Sequence, residues 1–350
     1  MTDPQSLRHG ELHAFVSAHF PQHDFTLAPA SADASFRSYW RVDGDGETRI
    51  VMDAPPDKEN IAPWLDIGAR LRAAGLHTPE VFAVDHARGF VLMEDLGNRT
   101  YLPELDAATA DALYGDALDA LRTMQARVSP HGLPVFDEAF LTMELEIMPE
   151  WFLRRHLGYT PSCAEWDVIE PAFRLIIDTA RAQPQVFMHR DFHSRNLMIV
   201  DGDGSGAGVN GPSNPGIIDF QGAVLGPITY DLASLLRDCY IAWPIEQVDA
   251  WVERYRQRLV DAGAITAGGA QFRRWFDLTG LQRHIKVLGL FCRLNYRDGK
   301  AAYLGDLPLV LDYVLGVARL YPELQTFAAL IERAVGGRDI ARPRAQEQAA

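Results

Sequence analysis

Between two apolar runs, Val186-Phe187-Met188 and Leu197-Met198-Ile199-Val200, lies a dense polar block: His189-Arg190-Asp191-Phe192-His193-Ser194-Arg195-Asn196. Twenty-three residues beyond Asn196, a further apolar pair, Ile217-Ile218, ends in Asp219-Phe220. A carboxylate on a short loop between buried flanks can orient a hydroxyl and accept its proton, and Asp191 is that carboxylate. His189 and Arg190 directly precede it and belong to the same catalytic set. A second carboxylate and an amide oxygen are hard ligands of the kind Mg2+ takes while keeping some of its waters, and Asp219 and Asn196 supply them. These groups meet what phosphoryl transfer asks of a protein, which is positioning and neutralisation of charge. The plainer alternative makes His189, Asp191 and Asn196 turn formers in a hairpin. It accounts for the loop but not for the separate carboxylate closing Ile217-Ile218. His193 reads as a hydrogen-bonded structural histidine. Asp231, ahead of the apolar run Leu232–Leu236, reads as a helix cap whose carboxylate also ties down loop backbone.

The elements that must position these groups follow from periodicity. Leu7–Phe20 has helical spacing, and Phe36–Val42 and Thr48–Met52 read as strands joined across Asp43-Gly44-Asp45-Gly46. Ile61–Ala74 reads as a helix closed by Gly75, followed by strands Val81–Val84 and Phe90–Met93. From Leu105 the pattern is mostly helical: Ala107–Ala126, Glu138–His156, Glu165–Ala182, Ile245–Ala262, Gln271–Tyr296, Leu307–Tyr321 and Glu323–Val335. The β interruption Val186–Met188, Leu197–Val200 and Gly216–Asp219 carries the polar block. Asp201–Pro215, rich in Gly and Ser, lacks the Lys-Ser/Thr ending of a nucleotide-binding P-loop and reads as a hairpin connection. The expected architecture is α+β, with a β-rich front (1–95), a larger helical rear (96–336) and a polar tail (337–350).

Composition narrows the partners. The 350 residues carry a net charge of −14, which disfavours nucleic acid and anionic membranes. The N-terminal residues are polar, no run of about 18 consecutive apolar residues is present, and a cytoplasmic monomer is the expectation. Cys163, Cys239 and Cys292 are too scattered for a disulfide framework and read as reduced core thiols.

His-Arg-Asp-x-x-x-x-Asn has the spacing of the protein-kinase catalytic loop. Together with Ile218-Asp219-Phe220-Gln221 and Tyr230-Asp231-Leu-Ala-Ser-Leu-Leu-Arg237-Asp238, it resembles the aminoglycoside phosphotransferase/choline kinase family over roughly residues 7–335. The resemblance implies a protein-kinase-like bilobal fold with ATP as co-substrate. Asp33–Val42, Met52–Glu59, Met93–Gly97 and Arg283–Lys300 are similar to the branch of that family acting on the anomeric hydroxyl of N-acetylmuramate and N-acetylglucosamine in peptidoglycan recycling. By position, Asp191 looks like the base, Asn196 and Asp219 like the Mg2+ ligands, and Met93-Glu94-Asp95-Leu96 like the hinge that meets adenine. Ser31–Ser38 stands in the place of the phosphate-covering loop without its glycine pattern, so Ser35, Arg37 or backbone amides would act there. Met52 occupies the place of the ATP-gripping lysine, which leaves Lys58 as a substitute, with Glu59 as the candidate for its partner.

On the substrate side, Arg283, Lys286, Arg293 and Arg297 fall on similar or adjacent faces of one helix, where an arginine fork suits a carboxylate. Arg237 and Asp238 are candidates for sugar hydroxyls. The bland alternative pairs these cations with acidic surface groups. A kinase of another small alcohol, of aminoglycoside, choline or homoserine type, is the competing reading. A catalytically idle binding module is a third, argued from Met52.

Overall fold

A computed structural model describes residues 4–20, 24–32, 36–44, 46–200 and 215–344. In chain order the elements are α1 (Pro4–His19), β1 (Thr26–Ala32), β2 (Ser38–Gly44), β3 (Glu47–Asp53), α2 (Ala62–Ala73), β4 (Val81–Asp85), β5 (Phe90–Glu94), α3 (Tyr101–Glu104) and α4 (Ala110–Arg127). There follow α5 (Glu138–Leu145), a π-helix (Met148–Leu157), α6 (Cys163–Arg181), β6 (Gln185–Met188), β7 (Leu197–Met198), β8 (Gly216–Ile217) and β9 (Val224–Pro227). The chain ends with α7 (Tyr230–Leu236), α8 (Ile245–Asp261), α9 (Gly269–Asp298), α10 (Leu307–Leu320) and α11 (Gln325–Val335). The fold is α+β and divides into two units, Met1–Met124 with Arg195–Gly222, and Gln125–Ser194 with Ala223–Ala350.

The first unit is built on a five-stranded antiparallel sheet of order β1-β2-β3-β5-β4. Its β2–β3 hairpin pairs Ser38 with Asp53 through Gly44 with Glu47, and Gly46 supplies the positive φ the turn requires. Leu12, Phe15 and Val16 of α1 pack with Val42, Val51, Phe90 and Leu92, so one face of the sheet closes over a small core. β1 has no counterpart in the sequence reading. Its Thr-Leu-Ala-Pro-Ala-Ser-Ala lacks a β-branched core, and it is an edge strand with a register shift between Pro29 and Ser31, where a proline is tolerated. β7 and β8 form a separate two-stranded ribbon.

The second unit is helical around one large core containing Leu145, Phe152, Ile176, Leu281, Leu288 and Val314. The single helix expected over Glu138–His156 is two elements, α5 and the π-helix, with Pro149 at the start of the second. The break meets a close approach: a Cβ added to Gly289 of α9 would lie 2.5 Å from the Ile147 carbonyl carbon and oxygen. The glycine therefore costs helix propensity but lets two backbones touch. β6 pairs with β9, a short strand the periodicity did not reveal. Cys239 and Cys292 are buried, but Cys163 is exposed; it is the first residue of α6, inside the Ser162–Glu165 capping box, so it sits at a helix end on the surface rather than in the core. Ala301–Leu320 is apolar and long enough to cross a membrane, yet Leu307, Val310, Val314 and Val317 point into the core.

Candidate active site

In the first unit, a cavity of about 430 Å³ opens on the sheet. Tyr39 and Arg41 of β2, Ile50 of β3, Trp64 of α2, and Met93 through Asn98 line it together with Asn196, Met198, Ile218, Asp219 and Phe220. The lining is largely apolar with a few polar groups, the usual character of a small-molecule site. Each charged group there is held. Arg41 donates to both Asp95 oxygens (2.6 and 3.0 Å) and to the Gly97 carbonyl (3.1 Å). Glu94 accepts from His77 Nε2 (3.0 Å) and the Glu80 amide (3.1 Å); burial raises its pKa, but these donors outweigh it and the carboxyl stays below its ordinary value. Asp219 lies at φ +61°, in the left-handed region. Its carboxylate takes Gln221 Nε2 at 2.7 Å and lies 3.4 Å from Asn196 Nδ2 and 3.6 Å from Arg37 Nη2. The Ile218 amide donates to the Asn196 carbonyl (3.1 Å), fixing the two residues relative to each other.

The second unit holds Asp191. The chain from β6 turns at Arg190, whose φ of +77° is unusual for so large a residue. Asp231, one residue into α7, holds that turn: its carboxylate accepts the His189 amide (2.7 Å) and the Arg190 amide (3.0 Å). Burial pushes the Asp231 carboxyl up to about 7, against the pull of both amides and Arg283. Asp238 does the same downstream, accepting the Ser194 amide (3.0 Å) and hydroxyl. Buried Arg283 of α9 donates to the Arg190 carbonyl (2.9 Å) and lies 3.6 Å from the Asp191 carboxylate. Glu144, also buried, gathers Arg190 (2.6 Å), Lys286 (3.0 Å) and Gln282 (3.1 Å). Burial opposes charge on Asp191, but Lys286, Arg283, His193 and Arg190 outweigh it and hold its carboxyl well below the usual carboxylate range. The Asp191 side chain is nevertheless 42% exposed, so an ionised acceptor is presented to solvent.

The structure sorts the remaining sequence candidates. Met93, Glu94 and Leu96 line the first cavity, while Met52 is 0% exposed in the sheet core. Lys58 is exposed and sits 5.0 Å above the Phe36 ring, and Glu59 accepts the Phe36 amide (3.1 Å). Ser35 and most of Asp201–Pro215 fall outside the described residues. Arg237 is buried against Asp277 (2.6 Å) in the helical core. Arg297 is exposed and pairs with Asp298 (2.8 Å). Arg293, on the same helix, has its Nε shielded from solvent. His193 is buried with its ring edge-on to Tyr240, centroids 5.6 Å apart. Sequence reasoning missed Tyr39, Arg41, Trp64, Glu144 and Gln282. Their partners lie far away in the chain, so local spacing gave no signal for them.

The chain is 42% identical over 313 residues to an N-acetylmuramate/N-acetylglucosamine kinase of Pseudomonas putida, covering 89% of each protein. It is 38% identical over 327 residues to a protein of the same name from Neisseria meningitidis serogroup B, covering 92% of this chain and 94% of that one. Among solved structures, the choline kinase LicA of Streptococcus pneumoniae matches with a TM-score of 0.62 at 11% identity, covering 90% of this chain and all (100%) of that one. The Plasmodium vivax ethanolamine kinase matches at 0.59 and 11%, covering 93% and 92%. The family model for phosphotransferase enzymes matches residues 26–270, and the chain belongs to that phosphotransferase enzyme family.

Proposed function

We propose that this chain transfers the γ-phosphate of ATP to the anomeric (C1) hydroxyl of N-acetylmuramate, N-acetylglucosamine or both, as part of cytoplasmic peptidoglycan recycling. The observation that carries the chemistry is the ionised, solvent-facing Asp191 carboxylate on a loop pinned by Asp231 and Asp238. Asp191 takes the sugar hydroxyl proton as the sugar oxygen bonds to the γ-phosphorus and the bond from that phosphorus to the ADP oxygen breaks. The relatives' shared name supports the substrate. In functional terms, the first unit would hold the nucleotide, and the second the base Asp191 and the sugar.

The first-unit cavity suits a purine beside Met93, Leu96 and Ile218, with backbone of the Met93–Leu96 segment for its edge. Arg37, beside Asp219 and with a side chain only 9% exposed, is the stronger candidate than Lys58 for a phosphate contact. Mg2+ fits here: the Asp219 carboxylate draws Arg37, Asn196 and Gln221 toward it, so a cation is favoured at that point. Asp219 and the Asn196 amide oxygen would hold the ion, with phosphate oxygens and waters completing its shell. When bound, Mg2+ neutralises charge on the transferring phosphate.

The cationic surroundings of Asp191 disfavour a polycationic aminoglycoside, whose site calls for carboxylates. The test is ADP release with ATP and Mg2+ against N-acetylmuramate, N-acetylglucosamine, choline and kanamycin, with phosphorus NMR of the product. A C1-phosphate from an N-acetyl sugar is the expected result. Turnover of choline or kanamycin alone, or of none of the four, overturns the sugar reading.

A further inference from the structure

We propose that Arg293 reads the carboxylate that N-acetylmuramate carries and N-acetylglucosamine lacks. This rests on the sugar-kinase reading and deepens it. Helix α9 carries six cations, Arg273, Arg274, Arg283, Lys286, Arg293 and Arg297. Five have a carboxylate oxygen close by: Asp277 at 2.9 Å, Glu323 at 2.9 Å, Asp191 at 3.6 Å, Glu144 at 3.0 Å and Asp298 at 2.8 Å, in the order Arg273, Arg274, Arg283, Lys286 and Arg297. Arg293 alone has none among the described residues, and its Nε is sealed from solvent without a hydrogen-bond partner. Burial and the neighbouring Arg297 work against its charge, and Asp298, too far for an ion pair, offsets them only in part. In a chain with 47 acidic and 33 basic residues, a half-buried arginine with no carboxylate at ion-pair distance among the described residues marks a place for an incoming anion.

Position agrees with this role. At about 100° per residue, Arg293 falls within roughly 20° of Lys286 on the helix surface and about 10 Å further along its axis. A long helical side chain leans toward the helix N-terminus, here toward Lys286 and the Asp191 end. Lys286 itself is committed to Glu144, which also takes Arg190 and Gln282. A sugar whose C1 hydroxyl meets Asp191 would carry its lactyl carboxylate several ångströms away, beyond Lys286, where a planar guanidinium can grip both oxygens.

The experiment measures kcat/KM for both sugars on the unaltered chain and on Arg293→Ala, Arg293→Lys and Arg297→Ala. The Arg293→Ala change is expected to lower kcat/KM for N-acetylmuramate on the order of 10- to 100-fold, chiefly through KM. N-acetylglucosamine should be unaffected, Arg293→Lys should recover part of the loss, and Arg297→Ala should leave both sugars unchanged. Equal loss on both sugars, or none on N-acetylmuramate, overturns the assignment. If thermal melts show that the alanine variant is unfolded, the ratio of the two sugars is read on Arg293→Lys instead. An unaltered chain that turns over N-acetylglucosamine alone keeps the kinase reading and refutes the role of Arg293. Turnover of neither sugar removes the reading beneath it, and the assignment with it.

Discussion

The two units treat charge in opposite ways. The first spreads a few charged groups around an apolar cavity, each matched by a neighbour: Arg41 by Asp95, and Glu94 by His77. The second crowds buried Arg283 and Lys286 and partly buried Arg190 around two carboxylates and leaves one of these, Asp191, facing solvent. Among the described residues only two outside glycine have a positive φ, Asp219 in the first unit and Arg190 in the second. Each is local backbone strain placed beside the chemistry its unit would perform. The comparison teaches a division of labour. Under the proposed function, one unit would take a flat apolar ligand and a cation, while the other keeps the Asp191 carboxyl ionised.

The strongest way to break that division is Asp191→Asn. The change keeps shape and removes the proton acceptor, so kcat should fall about 10²- to 10⁴-fold while the variant melts as the unaltered chain does. Steady-state kinetics with a thermal melt decide it, and retained turnover removes Asp191 as the base.

Next in size is Asp231→Ala, which orphans the two buried amides of His189 and Arg190. At about 1–3 kcal/mol each, the cost is roughly 2–6 kcal/mol, read by urea unfolding. A pH series adds a sign. The Asp231 carboxyl sits at about 7 in the folded chain, above the ordinary Asp value near 3.9. Between those values the folded state holds a proton that the unfolded state has lost, so this contribution falls as pH rises through the window and is level above it. The stability advantage over Asp231→Asn should therefore shrink from pH 4 to pH 7; an advantage that grows would contradict the buried placement.

A smaller effect is expected at Gly289→Ala. Overpacking against the rigid Ile147 backbone costs toward the upper end of about 1–3 kcal/mol, and the better helix former returns about 1, so a net loss of up to about 2 kcal/mol should appear as a lowered melting temperature. A stabilised variant would mean the α9 contact with Ile147 is looser than described. The smallest effect belongs to Lys58→Ala. With Lys58 exposed over Phe36, the KM for ATP should not change, and a marked rise would restore Lys58 as a phosphate ligand.

Much of this was legible in the chain. The helices announced themselves by periodicity, and the polar block from His189 to Asn196 stood out because apolar strands bracket it. The hairpin at Asp43–Gly46 was legible from its glycines. What stayed hidden depends on partners far off in sequence. Four residues on α9, Arg283, Lys286, Arg293 and Arg297, looked alike as cations, but Glu144, which commits Lys286, lies on α5 more than a hundred positions away and 138 positions before Gln282. Arg237 looked like a sugar ligand until Asp277 neutralised it. β1 was illegible because its pairing with β2, rather than its own residues, makes it a strand. Met52 drew notice as a missing lysine, whereas Arg37 and Arg41, on and just before the neighbouring strand, carry the cations of that region.

The central claim is that nucleotide capture and proton abstraction reside in different groups, and calorimetric titration of Mg2+ with a non-hydrolysable ATP analogue tests it most directly. Asp219→Ala should weaken binding by at least about tenfold, as loss of a metal ligand demands, while Asp191→Asn should bind as the unaltered chain does. Unchanged binding in Asp219→Ala, or loss of binding in Asp191→Asn, would contradict it.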